Sequence, residues 1–350
     1  MFALVGIGVS GIRSITLEGS DVFRRSDLVY LDGYTTPLPT DFVENFSRYI
    51  GKEIVVLDRA KLENNISMIL EEARDKEISL AVLGDPLFAT THMNFLIQAK
   101  RMGVSFVVVH STSISTLLAT AFGLHPYKFG KIVTVVRESG IPATSTYFSL
   151  YDNLLRGLHT ILLLEFDSNS GESFTPTSMF KVLENAESVY KLGAFSKKTL
   201  VIVACRIARE DQKVHVGRVS DLLATDFGAP PYSVIVPSKL HFTEEEALDV
   251  LFGLEKDKVM NNEADLRVRT EFLVKKYVNR TRETLIEARE ETTRKGLRNL
   301  DDLFENIECY LDDSTRFLNT GEDLLAMLSV GYAEGLLDSL RFQGILDLKW

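Results

Sequence analysis

The sequence predicts two α/β domains followed by an all-α module of three helices, and three observations predict it. Short apolar runs alternate with helical patterns over residues 1–136, the rhythm of a largely parallel sheet covered by helices. Over residues 137–256 such runs recur at wider and less even spacing. Over residues 257–350 apolar residues recur only at helical spacing, with no strand signal.

In the first domain the expected strands are Phe2–Gly8, Asp27–Leu31, Glu53–Leu57, Ser79–Leu83 and Ser105–His110, with helices such as Leu62–Ala73 and Met93–Arg101 between them. In the second they are Thr160–Leu164, Thr199–Ala204 and Ser233–Pro237. A helix is expected over Ser178–Leu192, and Gly228-Ala229-Pro230-Pro231 marks a turn. The third domain offers three apolar stripes. Leu266, Leu273, Tyr277, Thr281, Leu285 and Ala288 form the first; Leu300, Leu303, Phe304, Ile307 and Leu311 form the second. Leu324, Leu325, Leu328, Ala333, Leu336 and Leu340 form the third, and Thr320-Gly321-Glu322-Asp323 reads as its capped start. All six histidines lie at or before His241, so this bundle carries no imidazole and reads as scaffold, interface or docking surface.

Composition narrows the setting. The 350 residues are 45% hydrophobic and 25% charged, the balance of an ordinary globular protein. No apolar run approaches the roughly 18 residues of a membrane span. The N-terminus lacks the basic flank and cleavage site of a secretory signal, so a cytoplasmic protein is expected. Two cysteines, Cys205 and Cys309, argue against a disulfide framework or a thiolate metal site. The net charge of −10 disfavours a general nucleic-acid binder. The basic stretch Arg267 to Lys295 is interleaved with acidic residues and reads as a solvated helix face.

Gly6-Ile7-Gly8-Val9-Ser10-Gly11 matches G-x-G-x-x-G, and Asp32 follows about twenty residues on, the spacing of a dinucleotide site. The next residues argue against it. The best helix cap is Ser14, so the helix N-terminus would lie several residues past the glycines, away from where a pyrophosphate needs it. A plain glycine turn stays open for Gly11.

Four further segments follow strand ends. Tyr30-Leu31-Asp32-Gly33-Tyr34-Thr35-Thr36 follows the second strand and Gly84-Asp85-Pro86-Leu87-Phe88-Ala89-Thr90-Thr91-His92 the fourth. His110-Ser111-Thr112-Ser113-Ile114 follows the fifth, and His125-Pro126-Tyr127-Lys128-Phe129-Gly130 comes soon after. With the glycine turn before them, and Asp226-Phe227-Gly228-Ala229-Pro230-Pro231 and Ile235-Val236-Pro237-Ser238-Lys239-Leu240-His241 after them, this order resembles the diphthine synthases. These are a branch of the tetrapyrrole-methylase-like methyltransferases. The Gly-Asp-Pro turn points only to the superfamily. Its extension into Ala-Thr-Thr-His, with the His-Pro-Tyr-Lys-Phe-Gly segment downstream, points to the diphthine branch. The resemblance covers residues 1 to about 255, and the tail is similar to a small archaeal helical domain of unknown function.

The resemblance implies a homodimeric, two-domain methyltransferase with S-adenosyl-L-methionine folded into the cleft between domains. It implies methyl transfer to the amino group of a 3-amino-3-carboxypropyl histidine on translation elongation factor 2, a step of diphthamide biosynthesis. It places the cofactor on Val9, Asp85, Phe88, Ser113, Ile114, Leu164 and Ile207, and on Tyr232, where the family has a histidine. Thr36 stands where a serine is usual and keeps the hydroxyl. No metal is implied, and no catalytic residue is assigned.

Each residue also has a plainer reading. Val9, Phe88, Ile114 and Leu164 suit the apolar walls that loss of a sulfonium charge favours, or ordinary packing at strand ends. Asp85 can accept hydrogen bonds from a ribose or amino group, or hold its own turn. Ser113 offers a hydroxyl or starts a helix. His92 and His125 could accept a proton, and read more readily as structural histidines. Tyr34, Thr35 and Thr36 suit the acceptor side or a polar loop. The rival functions are a methyltransferase of the same fold acting on a tetrapyrrole or ribosomal RNA, a non-catalytic cofactor-binding adaptor working through the helical tail, and a nicotinamide-dependent oxidoreductase.

Overall fold

Alternate residues of the first strand face opposite ways, and both directions are buried. Phe2 and Leu4 join one apolar cluster, Ala3 and Val5 another. That pattern suits a parallel strand covered on both faces. The computed structural model describes residues 1–136, 143–168, 170–254, 264, 266–297 and 299–348. It divides into two compact units, Met1–Ala264 and Asp265–Trp350.

In the first unit, β1 (Phe2–Gly6), β2 (Leu28–Asp32), β3 (Ile54–Leu57), β4 (Ile78–Val82) and β5 (Phe106–Val109) form a parallel sheet. The order is β3-β2-β4-β1-β5. Helices α1 (Leu17–Arg25) and α2 (Phe42–Ile50) cover the face of Ala3 and Val5, through Val22, Phe23, Phe46 and Ile50. Helices α3 (Arg59–Glu72) and α4 (Met93–Met102) cover the other face, through Leu62, Ile66, Leu70, Phe95 and Ala99. The chain leaves β1 toward one edge and β4 toward the other, which puts the switch point between their C-terminal ends. All five expected strands are present.

Helix α5 (Ile114–Thr120) leads away from this sheet, and Leu118 and Phe122 pack with Leu200, Ile202 and Ile235 in the second lobe's core. That lobe is built on β6 (Val133–Val135), β7 (Thr160–Leu164), β10 (Leu200–Cys205), β11 (Lys213–Arg218) and β12 (Tyr232–Val236). The order is β11-β10-β12-β7-β6, with only β6 and β7 parallel. A hairpin of β8 (Phe166–Asp167) and β9 (Glu172–Ser173) lies between β7 and β10. Helices α6 (Thr144–Leu155), α7 (Pro176–Tyr190), α8 (Val219–Leu222) and α9 (Phe242–Phe252) complete the lobe.

The three strands expected here are present. β6, β11 and the hairpin add to them. β6 precedes the expected domain division at 136/137 yet pairs with the second sheet. Residue 137, which opens the second expected domain, and residues 256 and 257 lie outside those described.

The second unit contains α10 (Arg269–Lys295), α11 (Asp301–Asn319) and α12 (Asp323–Phe342), packed around Val274, Leu285, Phe304, Ile307, Ala333 and Leu337. The third stripe is corrected: Leu324 and Leu328 are 85% and 68% exposed, and Ala326, Val330, Ala333, Leu337 and Leu340 form the buried face. Small side chains let α12 approach its neighbours closely, which turns those leucines outward. Its first turn has no side-chain cap. The basic face of α10 bridges the bundle, with Arg280 2.6 Å from Glu334, Arg282 2.7 Å from Asp312 and Arg289 3.1 Å from Glu308. Such half-exposed pairs contribute about 0–1 kcal/mol each. Among the described residues no helix is long and apolar enough to cross a membrane, and no His/Cys/Asp/Glu group could hold a metal ion.

Candidate functional site

Beyond the ends of β1 and β4, Gly8 donates to the Gly84 carbonyl at 3.1 Å and Gly84 donates to that of Gly8 at 2.9 Å. Both glycines have positive φ, +68° and +81°, a conformation that L side chains rarely adopt. A Cβ at Gly6 would lie 2.7 Å from the Gly84 oxygen and 2.8 Å from Pro86 Cδ. The glycines therefore let two loops touch through bare backbone. Ser14 is no helix cap. Its hydroxyl faces the Ile7 and Gly11 carbonyls at 3.0 and 2.9 Å, and α1 starts later still, capped by Thr16. Asp32 is buried and accepts Tyr34 N at 2.8 Å, Thr35 N at 3.1 Å and the Thr35 hydroxyl, so it builds its own loop. The dinucleotide reading fails at its helix and at its acid.

A cleft of about 590 Å³ opens over this glycine bridge, between the two sheets. The first lobe contributes Val9, Tyr34, Asp85 and Phe88 to its lining, and the second Leu164, Ile207 and Tyr232, with Ile114 at the start of α5. Seven of the eight expected cofactor positions thus meet there. Ser113 is the exception. Its hydroxyl oxygen accepts from Ser115 N at 3.1 Å and caps α5 one residue before Ile114. Volumes of roughly 300–1,000 Å³ with apolar walls and a few placed polar groups are usual for small-molecule sites, and this cleft fits a nucleoside thioether of the cofactor's size.

Asp85 both holds its turn and lines the cleft. One oxygen accepts Leu87 N at 3.0 Å; the other lies 2.8 Å from His110 Nδ1 and 3.3 Å from Ser111 N. Tyr232 donates its hydroxyl to the Gly228 carbonyl, so its polar end is committed to the turn. Burial raises its pKa above the ordinary phenol value.

Neither candidate histidine lines the cleft. His92 is fully buried, with Nδ1 3.1 Å from the Pro86 carbonyl and Nε2 3.3 Å from Asp32, and it ties the loops after β2 and β4 together. His125 Nε2 lies 3.0 Å from Thr243 Oγ1, and its backbone N–H donates to Glu244 at 2.7 Å. Glu244 gathers more: Lys128 Nζ, His241 N and His159 Nε2, the last at 3.0 Å. Burial alone would raise this carboxyl, but those hydrogen bonds prevail and hold it down at about 2. His159 Nδ1 accepts Ser238 N at 3.0 Å, so Nε2 carries the proton that Glu244 receives. Burial pushes the His159 pKa below its ordinary value.

Sequence reasoning missed Arg59, Thr134, Glu165, Phe166 and Arg209 in the lining, and His110 beside Asp85. A signal existed for two of them. His110 follows β5 as Asp85 follows β4, on the two strands that flank β1, and Arg209 follows Arg206 just past β10.

The tetrapyrrole (corrin/porphyrin) methylase family model matches residues 1–223. Diphthine synthase of Methanocaldococcus jannaschii is 35% identical over 255 residues, covering 72% of this chain and 98% of its own. The chain belongs to the diphthine synthases, within the tetrapyrrole methylase family. Diphthine synthase of Methanococcus maripaludis is 34% identical over 253 residues, 72% of this chain and 99% of its own. A crystal structure of diphthine synthase aligns with TM-score 0.64 and 28% identity over 74% of this chain and 99% of that one. A family of unknown function, DUF357, matches residues 276–346, within the helical unit. The chain is therefore a diphthine synthase-like, S-adenosylmethionine-dependent methyltransferase with an added helical module.

Proposed function

We propose that this diphthine synthase-like chain methylates the amino group of a 3-amino-3-carboxypropyl histidine on translation elongation factor 2, in diphthamide biosynthesis. The observation that carries the reading is the meeting of Val9, Asp85, Phe88, Ile114, Leu164, Ile207 and Tyr232 in one cleft over the glycine bridge. Bound S-adenosylmethionine supplies a methyl group on a positively charged sulfur. The apolar walls keep water from that centre, and Asp85 is fixed to accept from the nucleoside. Tyr34, Thr35, Thr36, Thr90 and Thr91 border the same cleft and suit the acceptor side. Residues 1–136 and 137–256 serve as the two enzyme domains and 257–350 as the module. The enzyme works as a cytoplasmic homodimer without nucleic acid.

The test is incubation with labelled S-adenosylmethionine and three separate acceptors: elongation factor 2 carrying the precursor histidine, a tetrapyrrole and ribosomal RNA. Label on elongation factor 2 alone is expected. Label on either other acceptor, or on none, overturns the assignment.

A further inference from the structure

We propose that Arg209 is the carboxylate-binding residue of the cleft. The inference rests on the proposed reaction and adds to it a residue that neither the motifs nor the implied cofactor positions include.

Several backbone donors around the first lobe's rim are already used. Gly8 and Gly84 satisfy each other, Leu87 and Ser111 donate to Asp85, and Tyr34 and Thr35 donate to Asp32. A full negative charge on a ligand is best matched there by a cationic side chain. Two arginines line the cleft, Arg59 and Arg209, and Arg59 is already engaged within the protein. The guanidinium of Arg209 is half-buried and makes no hydrogen bond or ion pair with any described residue. The two carboxylates that follow it are committed elsewhere, Glu210 at 2.9 Å from Arg13 and Asp211 at 2.6 Å from Arg206 Nε. A half-desolvated cation without a hydrogen-bonded partner is costly unless a ligand completes it.

The loop that presents Arg209 is firmly held. Arg206 and Ala208 have φ of 50° and 63°, and Arg206 N donates to the Pro231 carbonyl at 2.9 Å. The Arg206 side chain donates to the Ala229 carbonyl, Arg209 N donates to the Arg206 carbonyl at 3.0 Å, and Ala208 N donates to Gln212 at 2.9 Å. A planar fork of donors on a fixed loop is suited to bidentate capture of a carboxylate. Burial also draws the Arg209 pKa below its ordinary value, and outweighs the attraction of Asp211.

The reactants carry this group twice, on the methionyl part of the cofactor and on the 3-amino-3-carboxypropyl arm of the acceptor. Calorimetry on the full chain, with S-adenosylhomocysteine and with 5′-methylthioadenosine, which lacks the carboxylate, separates these sources. Turnover on elongation factor 2 gives the acceptor's KM. Arg209→Met keeps the apolar stem and removes the charge; Arg209→Lys keeps the charge and removes the fork.

Methylthioadenosine is expected to bind wild type and both variants alike. In Arg209→Met either S-adenosylhomocysteine affinity falls about tenfold or more, or affinity holds and KM for elongation factor 2 rises by as much, with Arg209→Lys between. The first result places the carboxylate on the cofactor and the second on the acceptor. Unchanged S-adenosylhomocysteine affinity together with unchanged KM overturns the proposal. So does a loss of methylthioadenosine equal to that of S-adenosylhomocysteine, which would make Arg209 a packing residue. Wild type that binds neither nucleoside would instead sink the cofactor site itself.

Discussion

The Asp85 carboxylate meets Leu87 N through one oxygen and His110 and Ser111 through the other, so it is oriented before any ligand arrives. Its side chain is only 15% exposed, and a ligand donor reaching it would make a charge-assisted bond in a partly dry setting. Asp85→Ala is expected to weaken S-adenosylhomocysteine binding by about 1–3 kcal/mol, read by calorimetry. Asp85→Asn, which keeps one acceptor oxygen, should lose less. Unchanged affinity in both variants would leave Asp85 a turn residue and nothing more. His92 and Asp32 act one layer further out, where burial has removed them from solvent and from the cleft.

The segment around Glu244 shows the same logic in an element's anchoring. Helix α9 begins at Phe242, and its capping carboxylate also holds His125, Lys128 and His159. The two pKa shifts act in one direction. His159 is depressed from 6.5, so its contribution is present above that pH and is lost as pH falls. Glu244 is depressed from 4.5 to about 2, so its contribution is present above 4.5 and is lost as pH falls toward 2. The melting temperature is expected to decline below pH 6.5 and more steeply below 4.5. Glu244→Gln should cost about 3 kcal/mol at neutral pH, because Lys128 loses its partner, and should flatten the lower limb. A variant with the wild-type acid profile would show that the cluster does not set acid stability.

Elements of this kind differ in how far the sequence discloses them. β7 was visible residue for residue, because Thr160–Leu164 is an apolar run buried within its lobe. β11 was not, because an edge strand alternates Val214 and Val216 with Lys213, His215 and Gly217 and competes with loop composition. α12 was found, with Ala333 and Leu340 on its buried face as expected, but its first turns were read the wrong way. Hydrophobicity ranks Leu324 and Leu328 above Ala326, whereas close helix approach favours the alanine.

At the scale of the whole chain, and among the described residues, one apolar cluster runs from Val274 onward and three others lie at or before Leu254, in keeping with the two units. A chain ending at Ala264 is expected to stay folded and to bind S-adenosylhomocysteine like the full chain, measured by thermal melting and calorimetry. Self-association by light scattering, or turnover on elongation factor 2, should fall instead. Aggregation or lost binding would make the helical unit part of the enzyme's core. The cleft was legible only as an ordered set of motifs, each ambiguous alone. Arg209 was legible as a basic residue just past β10, but the role proposed for it was not, because that depends on what the first lobe leaves unmet.

The path between the sheets has a mechanical consequence. Among the described residues the chain passes from the first sheet to the second once, leaving β5 at Val109 and joining the other core through α5 from Ile114. His110–Ser113 is the strap between the two lobes, and its first two residues are held by Asp85. The carboxylate that borders the cleft thus also ties down the stretch of chain that joins its two walls.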